Sequence, residues 1–595
     1  MAGPLLAAGC AGRTTLRGNS STSTDPVQPS VTASASSTGQ VNIQWTGIAG
    51  ATSYQIQVDD TPYFRLPVVN QTENSTSLTL DEFTSGLAAG VTYYVQVSPG
   101  GAQTTFRLPT QPWPESYLSY SYTRAAWNNS GRAWMSDYSG IAWDSSSGEW
   151  TVDASWADAA TNVAPDAYDL EFAARGAVNM GAVRDDLALL DELAAFYVAY
   201  ENRFTTLGAM RAMTQYNTSL LPQGEPDSTE TLIWVNSSGG ITYVEECDLC
   251  NSQFYYPVAR LLRIITTLPT SQRTPAMLAF ASWYGPVLAT DHLSRLLSRN
   301  NGQLLTQIQS TPGGLDDEGL WLAAEAAELL GANANDPNLV PLTSSQITSL
   351  QQAVGIIFSA LETQYRTYVP GTTNFQAQAV GSVSYFNGTF QYDDQADYAY
   401  SGYVGQTFPT PQDAAVQANA SWDISHAYRF PVFLRALYDN RKTTGGSFPA
   451  SSEVQLVTNQ LVYMNFQGNM DEPLFNNFFD GSDGWYRVGY HGPTFGYPPA
   501  QYCNNYADVG PYTMPCLTPG AVQGWGLLAF FNPDLTELEH ALANLAWATD
   551  STHAAFRQQY YYYAGQDFAA VDSSSQTQYP ILLYFILSNN AEKLQ

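Results

Sequence analysis

Three consecutive carboxylates, Asp316, Asp317 and Glu318, begin a run of apolar residues with helical spacing (GGLDDEGLWLAAEAAELLG, 313–331). An acid at this position can cap the helix, because carboxylates stabilise its positive amino end. Two neighbouring acids can also cleave a glycosidic bond, which requires one proton donor and one base or nucleophile. Because neighbouring carboxylates raise each other's pKa, one of them can stay protonated. Both interpretations stay open.

A second polar helix start lies in SWDISHAYRF, residues 421–430. Asp423 or Ser425 can cap this helix, which places His426 in its first turn and Arg429 nearby. The helix dipole there lowers the pKa of an imidazole and favours its neutral, proton-accepting form. The segment predicts either a general base, with Asp423 and Arg429 at the substrate, or a structural histidine.

The third candidate is a glycine-rich loop over residues 476–499, NNFFDGSDGWYRVGYHGPTFGYPP. β-Elimination on a uronic acid polymer needs a group that neutralises the carboxylate, a base and an acid. The loop offers Tyr490 and His491 for proton transfer, Asn477 and Arg487 for the carboxylate, and Trp485 as a sugar platform. A structural loop held by aromatic packing is the alternative. Its DGSDG string lacks the ligand series of an EF-hand calcium loop.

The elements that must position these residues differ along the chain. Alternating apolar and polar positions predict strands over residues 27–108. Beyond residue 109, about ten amphipathic segments with apolar residues three and four apart predict helices. Because no fixed-period repeat occurs, a closed α/α toroid is favoured over a helical solenoid. We therefore expect a tether at 1–26, a small all-β domain at 27–108 and a large all-α toroid at 109–595.

The strand region resembles a fibronectin type III domain, a small immunoglobulin-like sandwich. Trp45 matches the core tryptophan of the second strand, and Tyr54, Ile56 and Val58 match the following strand. LAAGVTYYVQV matches the Leu-x-x-Gly-x-x-Tyr corner of that domain. The resemblance implies a spacer or a binding module.

The helical region resembles the (α/α) barrels of glycoside hydrolases and polysaccharide lyases. Asp316, Asp317 and Trp321 resemble the Asp-Asp-x-x-Trp start of an inner helix in α-1,6-mannan hydrolases, although the tryptophan stands one residue later here. The resemblance implies Asp316 and Asp317 as acid and base, with Trp321 at the substrate.

The five cysteines fall into two close pairs and one single residue. Two short-loop disulfides, from Cys247 and Cys250 and from Cys503 and Cys516, are the simplest account in an oxidising compartment. A zinc site from all four, and a redox-active Cys-x-x-Cys, are the alternatives. LLAAGC resembles a bacterial lipoprotein cleavage box, which implies a lipid on Cys10. A stray cysteine in a disordered tail is the other explanation.

Charge narrows the range of partners. The chain carries 23 Lys and Arg against 53 Asp and Glu, and such a field repels nucleic acid and anionic lipid. No phosphate-binding glycine loop, His-Glu-x-x-His motif or serine nucleophile elbow occurs in the sequence, so neither a cofactor nor a metal is expected. With 38 Tyr and 14 Trp, the composition suits stacking on sugars.

Together these features predict a secreted enzyme that cleaves glycosidic bonds in a polysaccharide or oligosaccharide, with hydrolysis preferred over Tyr/His β-elimination. As a lipoprotein it would reside at a bacterial outer membrane or cell surface, and it would contact the membrane only through its lipid anchor. A non-catalytic glycan-binding or adhesive surface protein is the competing hypothesis.

Overall fold

A computed structural model provides the structure of the 595-residue chain. The described residues are 30–36, 40–59, 64, 67, 69–81, 87, 92–107, 120–139, 141–152, 167–184, 186–207, 237–238, 241–242, 248–298, 302–310, 315, 317–362, 365–367, 384–386, 403–405, 407–409, 422–446, 449–479, 481–489, 496–504, 516–518 and 524–561.

Seven strands near the amino end form two antiparallel sheets, in the orders β1-β2-β5 and β4-β3-β6-β7. Their bounds are Val31–Ala35 (β1), Gln40–Trp45 (β2), Tyr54–Asp59 (β3), Val69–Glu73 (β4), Ser77–Asp81 (β5), Thr92–Ser98 (β6) and Ala102–Arg107 (β7). The alternation of apolar and polar residues decides which side chains face the core. In β2, Val41, Ile43 and Trp45 are buried while the residues between them are exposed. Trp45 contacts Tyr54 of the other sheet edge-on, with 5.6 Å between ring centroids, so the two sheets share a core.

The rest of the described chain is mainly helical. Its α-helices are Tyr120–Ala126 (α1), Arg132–Ser139 (α2), Ala167–Arg184 (α3), Leu187–Leu207 (α4), Asp248–Thr267 (α5), Pro275–Pro286 (α6), Ser294–Ser298 (α7), Gln303–Ser310 (α8), Asp317–Asn335 (α9), Ser344–Glu362 (α10), Ile424–Ala427 (α11), Arg429–Asp439 (α12), Ser451–Asn459 (α13), Pro533–Trp547 (α14) and Ser551–Tyr560 (α15). The chain is π-helical over Trp127–Gly131, Val287–Leu293 and Gln460–Asn465, and 3-10 helical over Thr270–Gln272, Ala500–Tyr502 and Trp525–Phe531. Short two-stranded ribbons pair Ile141–Asp144 (β8) with Glu149–Val152 (β9), Ser237–Ser238 (β10) with Ile241–Thr242 (β11), Tyr365–Thr367 (β12) with Ser384–Phe386 (β13), and Tyr403–Val404 (β14) with Gly484–Trp485 (β15). The coarse prediction of a small β unit and a large helical body matches this structure.

Helices α5, α9 and α12 run parallel to one another. Tyr256, near the middle of α5, packs on Trp321 of α9 at 5.4 Å between ring centroids, and Arg260, one turn farther along α5, meets Glu328, about two turns farther along α9, at 2.7 Å. The same order relates α9 to α12, because Trp321 lies 6.5 Å from Tyr428 and Glu328 accepts a hydrogen bond from Asn440 at 3.0 Å. The amino ends of these helices therefore lie at one end of the helical body.

A central ion cluster joins these helices below their amino ends. It consists of Arg260, Arg263, Glu328, Asp439 and Asn440. Arg260 donates to Glu328 at 2.7 Å and to Asp439 at 2.6 Å, while Arg263 donates to Glu328 at 2.5 Å. The carboxylates are at most 1% exposed, and buried charges persist in proteins only when they are paired in this way.

Gly331 of α9 provides the room that this cluster needs. A Cβ there would collide with Oδ1 of Asn440 and would lie 2.9 Å from Cδ of Arg263. Gly331→Ala should therefore lower the free energy of unfolding by about 1–3 kcal/mol through overpacking. Gly285→Ala on α6 is the matched control, because its Cβ would meet Val340 at an ordinary 3.8 Å. Equal urea midpoints for the two variants would contradict this explanation.

The β unit is docked on the helical body. The Tyr93 hydroxyl of β6 donates to Oγ of Ser451, the first residue of α13, at 3.0 Å, and both residues are fully buried. None of the helices in the described residues has the length and apolar character needed to cross a membrane.

Candidate active site

Asp423 caps α11 and holds His426 in one orientation. Its extended backbone lets the carboxylate accept hydrogen bonds from the amides of Ser425 at 3.0 Å and His426 at 3.2 Å. Its Oδ2 also lies 2.6 Å from Nδ1 of the His426 ring. A carboxylate accepts only from a protonated nitrogen, so Nδ1 carries the proton and Nε2 is the acceptor nitrogen of the neutral ring.

The electrostatics of this pair favour an ionised Asp423. Burial alone raises the pKa of its carboxyl, but His426, the Ser425 hydroxyl and Arg487 outweigh burial and hold the pKa well below its usual range. The Asp423 side chain is inaccessible, whereas that of His426 is 14% exposed. The His426 imidazole therefore lies between the buried, ionised Asp423 carboxylate and the protein surface.

A second segment packs against the pair. We call residues 476–479 and 481–489 the site loop. Phe478 forms an antiparallel β-bridge with Asp423, and the Ile424 amide donates to the Asn477 carbonyl at 2.9 Å. These contacts bring two of the three segments singled out from the sequence into one site.

The site loop places Tyr486 and Arg487 beside the imidazole. The Tyr486 hydroxyl lies 3.5 Å from Nδ1 of His426, and the Arg487 guanidinium lies 5.2 Å from the Tyr486 ring. Arg487 has a φ of 56°, a region that non-glycine residues seldom occupy. Such backbone strain is concentrated at functional sites.

Asp483 of the site loop differs from Asp423 because its pKa is raised and not lowered. Its Oδ1 accepts from the Asn477 amide and its Oδ2 from the Ala500 amide, each at 3.1 Å. Burial raises its pKa to about 6, although these two hydrogen bonds oppose the rise. Asp423 and Asp483 thus contact the same short stretch, Asn477–Phe478, while one carboxyl stays ionised and the other is easily protonated.

The remaining candidate segment, the acidic start of α9, is joined by an ion pair to the helix that follows His426. Asp317 is the first residue of α9, and its Oδ2 lies 3.0 Å from Nη2 of Arg429, the first residue of α12. Both side chains are buried, so Asp317 helps to fix the start of the helix that follows His426. Asp316 lies outside the described residues.

Other residues singled out from the sequence have packing roles here. Trp321 is 1% exposed between Tyr256 and Tyr428, and Trp485 is fully buried, so neither ring presents a face to solvent. The side-chain nitrogen of Asn477, Nδ2, donates hydrogen bonds to the carbonyls of Gly484 at 2.9 Å and Pro498 at 2.8 Å, and these bonds help to fix the shape of the site loop. Tyr490 and His491 lie outside the described residues.

Sequence reasoning missed a buried acid at the same end of the helical body. Glu171 of α3 pairs with Arg175 at 2.7 Å, and Arg175 lies 5.4 Å from the Trp321 ring. Burial raises the pKa of Glu171 to about 7, against the opposing effect of Arg175 and Arg429. The signal was an acid and a base four residues apart inside the apolar stretch LEFAAR. Asp483 and Tyr486 belong to the loop that the sequence singles out, but the sequence assigns them no individual role, because only tertiary contacts set them apart from neighbouring loop residues.

The described residues contain one of the two disulfides expected from the sequence. Cys503 and Cys516 form a disulfide with Cα atoms 5.6 Å apart. Cys250 lies in α5, while Cys247 and Cys10 fall outside the described residues. In the part of the chain that the structure describes, no three His, Cys, Asp or Glu residues are grouped so as to hold a metal ion.

Comparison with known proteins adds one distant likeness. No protein-family model matches the chain, and no curated protein matches it in sequence. Among solved structures, the chain is similar to the β-1,2-glucanase from Parabacteroides distasonis, with 11% identity and a TM-score of 0.29 over 94% of this chain and 69% of that one. A TM-score this low carries no argument for fold or function.

Proposed function

We propose that the protein is a carbohydrate-active enzyme that hydrolyses glycosidic bonds in a polysaccharide. The observation that carries this proposal is the joint attachment of Asp483 and the Asp423–His426 pair to Asn477–Phe478. Hydrolysis of a glycosidic bond needs a proton donor and a group that activates water. The site supplies a carboxyl with a raised pKa and an imidazole whose acceptor nitrogen is fixed by a carboxylate.

Each group then has one task. Nε2 of His426 takes a proton from water, and the resulting hydroxide oxygen bonds to the anomeric carbon. Asp423 stays ionised and stabilises the imidazolium as it forms. Asp483 gives its proton to the glycosidic oxygen as the bond between that oxygen and the anomeric carbon breaks, so the departing sugar leaves as a neutral alcohol. The Asp317–Arg429 ion pair holds the start of α12 in place, and Asp316 remains a candidate acid from the sequence.

The architecture that we propose is a fibronectin type III domain before an (α/α) toroid. The strand orders β1-β2-β5 and β4-β3-β6-β7 support the first, because they match that sandwich. The parallel helices α5, α9 and α12 support the second. We further propose secretion and lipid anchoring at Cys10; the Cys503–Cys516 disulfide suits an oxidising compartment.

A second candidate reaction is β-elimination on a uronic acid polymer. The contacts among His426, Tyr486 and Arg487 favour it, since they combine a base, a hydroxyl acid and a cation for the uronate. The net charge of −30 opposes an anionic substrate, and for this reason we place hydrolysis first.

The experiment is a cleavage assay on soluble β-1,2-glucan, α-1,6-mannan, dextran and alginate. New reducing ends without ultraviolet absorbance indicate hydrolysis, whereas absorbance of an unsaturated uronate indicates elimination. A purified, folded protein that releases neither product from a broad polysaccharide panel would refute both reactions.

The role of Asp483 makes a separate prediction. A proton donor acts only while protonated, so activity should fall as the pH rises through about 6, the pKa of this carboxyl. Asp483→Asn should lower kcat by about 10²–10⁴-fold on a natural polysaccharide. The loss should shrink sharply on an aryl glycoside whose leaving group needs no proton. Equal losses on both substrates would instead indicate that Asp483 only shapes the loop.

A further inference from the structure

Phe408 is an unusual surface residue. Among the described residues, three large hydrophobic side chains are exposed: Leu278 at 40%, Phe408 at 44% and Met470 at 37%. Phe408 is the aromatic one of the three. A single exposed apolar side chain needs no explanation, so its surroundings decide whether it has a role.

Two other rings surround Phe408. Its ring centroid lies 6.0 Å from those of both Trp485 and Tyr502, and the Trp485 and Tyr502 rings are nearly parallel at 6.5 Å. Trp485 is fully buried and Tyr502 is partly buried. The Tyr502 hydroxyl donates to the Thr407 side chain at 3.3 Å. Phe408 is therefore the exposed ring of a three-ring aromatic cluster, tilted by 59° against Trp485 and by 38° against Tyr502.

The aromatic cluster is connected to the site loop through Trp485. Trp485 pairs with Tyr403 in the β14–β15 ribbon, and along the chain it lies between Asp483, whose pKa is raised, and Tyr486, which lies beside the imidazole. Cys503, next to Tyr502, is bonded to Cys516. Phe408 thus contacts a ring, Trp485, that lies within two residues of Asp483 and Tyr486 along the chain.

We infer that Phe408, supported by Trp485 and Tyr502, is a binding subsite that stacks on a sugar ring of the polysaccharide next to the cleaved bond. This inference rests on the proposed function. The C–H face of a pyranose fits an aromatic face, while its hydroxyls stay in water or meet polar neighbours. Such neighbours are available along the chain, since the exposed residues Gln501 and Asn504 flank Tyr502 and Cys503. The net charge of −30 favours a neutral sugar over an anionic ligand.

Kinetics of Phe408→Ala test the subsite. Because an aromatic contact contributes about 0.5–1.5 kcal/mol, KM for the polysaccharide should rise about 2- to 12-fold while kcat stays near the wild-type value. Phe408→Trp should restore KM, and disaccharide substrates should lose little. Leu278→Ala on α6 is the matched control, since it removes a similarly exposed apolar side chain from another element.

A binding measurement separates this subsite from the proposed reaction. Calorimetric titration with β-1,2-glucan, α-1,6-mannan and dextran compares wild type, Phe408→Ala and Leu278→Ala without requiring turnover. If the wild type cleaves a glycan and Phe408→Ala keeps its KM and its affinity, the subsite is wrong and the reaction stands. Weaker binding by Phe408→Ala in a protein that cleaves nothing supports the subsite and refutes the reaction. If the wild type neither binds nor cleaves these glycans, both ideas are overturned.

Discussion

Asp423→Asn is expected to lower kcat/KM by about 10³-fold or more, with little change in KM, because a neutral amide no longer sets the tautomer of His426 or stabilises its cation. Asparagine still caps a helix well, so α11 should form. His426→Gln should cause a similar loss, and the double variant should lose little more, because two residues that act as a unit are not additive. Steady-state kinetics on the polysaccharide identified by the cleavage assay measure all three variants.

The chain offers a close control for this experiment. Asp550 caps α15 and its Oδ2 lies 2.6 Å from Nδ1 of His553, three residues later, just as Asp423 lies relative to His426. The Asp550 side chain, however, is 55% exposed. Asp550→Asn should leave kcat/KM unchanged. If Asp423→Asn were equally silent, the Asp423–His426 pair would be only a helix cap.

Glu328→Gln should lower the free energy of unfolding by about 3–5 kcal/mol, since removing one member of a buried ion cluster leaves uncompensated charge. Arg260 and Arg263 would keep Asp439 as their one remaining carboxylate in the central ion cluster. Urea unfolding followed by fluorescence measures the loss. Glu537→Gln on the exposed face of α14 is the control and should be nearly neutral. A loss below about 1 kcal/mol for Glu328→Gln would show that the cluster contributes little net stability.

The pH dependence of the cluster has a defined sign. Burial alone raises the pKa of Asp439, but Arg435, Arg260 and Arg263 hold it well below its ordinary 3.8. A carboxyl with a lowered folded-state pKa contributes stability that is present above the unfolded pKa and lost as the pH falls below it. The contribution of Asp439 to the free energy of unfolding should therefore be full near neutral pH and shrink below about pH 4, and the difference between wild type and Asp439→Asn in urea unfolding at a series of pH values measures it.

Local patterns predicted the helix starts and the faces of the strands. The Asp-Ile-Ser-His cap of α11 and the alternation in β2 are each decided by neighbours in sequence, and each forms as expected. Asp550 and His553 show the limit of such signals, because their local geometry is the same as that of Asp423 and His426. What differs is the site loop, which arrives from about 55 residues farther along the chain and buries only the first pair.

The same dependence on tertiary contacts explains why Trp485 is buried, although the sequence predicts an exposed sugar platform. An indole in a glycine-rich loop favours an exposed sugar platform, but pairing of β15 with β14 turns Trp485 inward beneath Phe408. Phe408 itself stands between threonine and proline, with no periodicity to mark it. Its exposure depends on a ribbon between strands about 80 residues apart, which no single-sequence pattern encodes.

The hydrogen bond from Tyr93 to Ser451 has a practical consequence for handling the protein. A sequence-based boundary near residue 108 invites expression of the helical body alone. Such a truncation would remove a residue that covers the amino end of α13 and would place the buried Ser451 hydroxyl and its apolar neighbours in water. Fragments intended for crystallisation or enzymology should therefore begin before β1, so that the amino-terminal β unit continues to cover the first residue of α13.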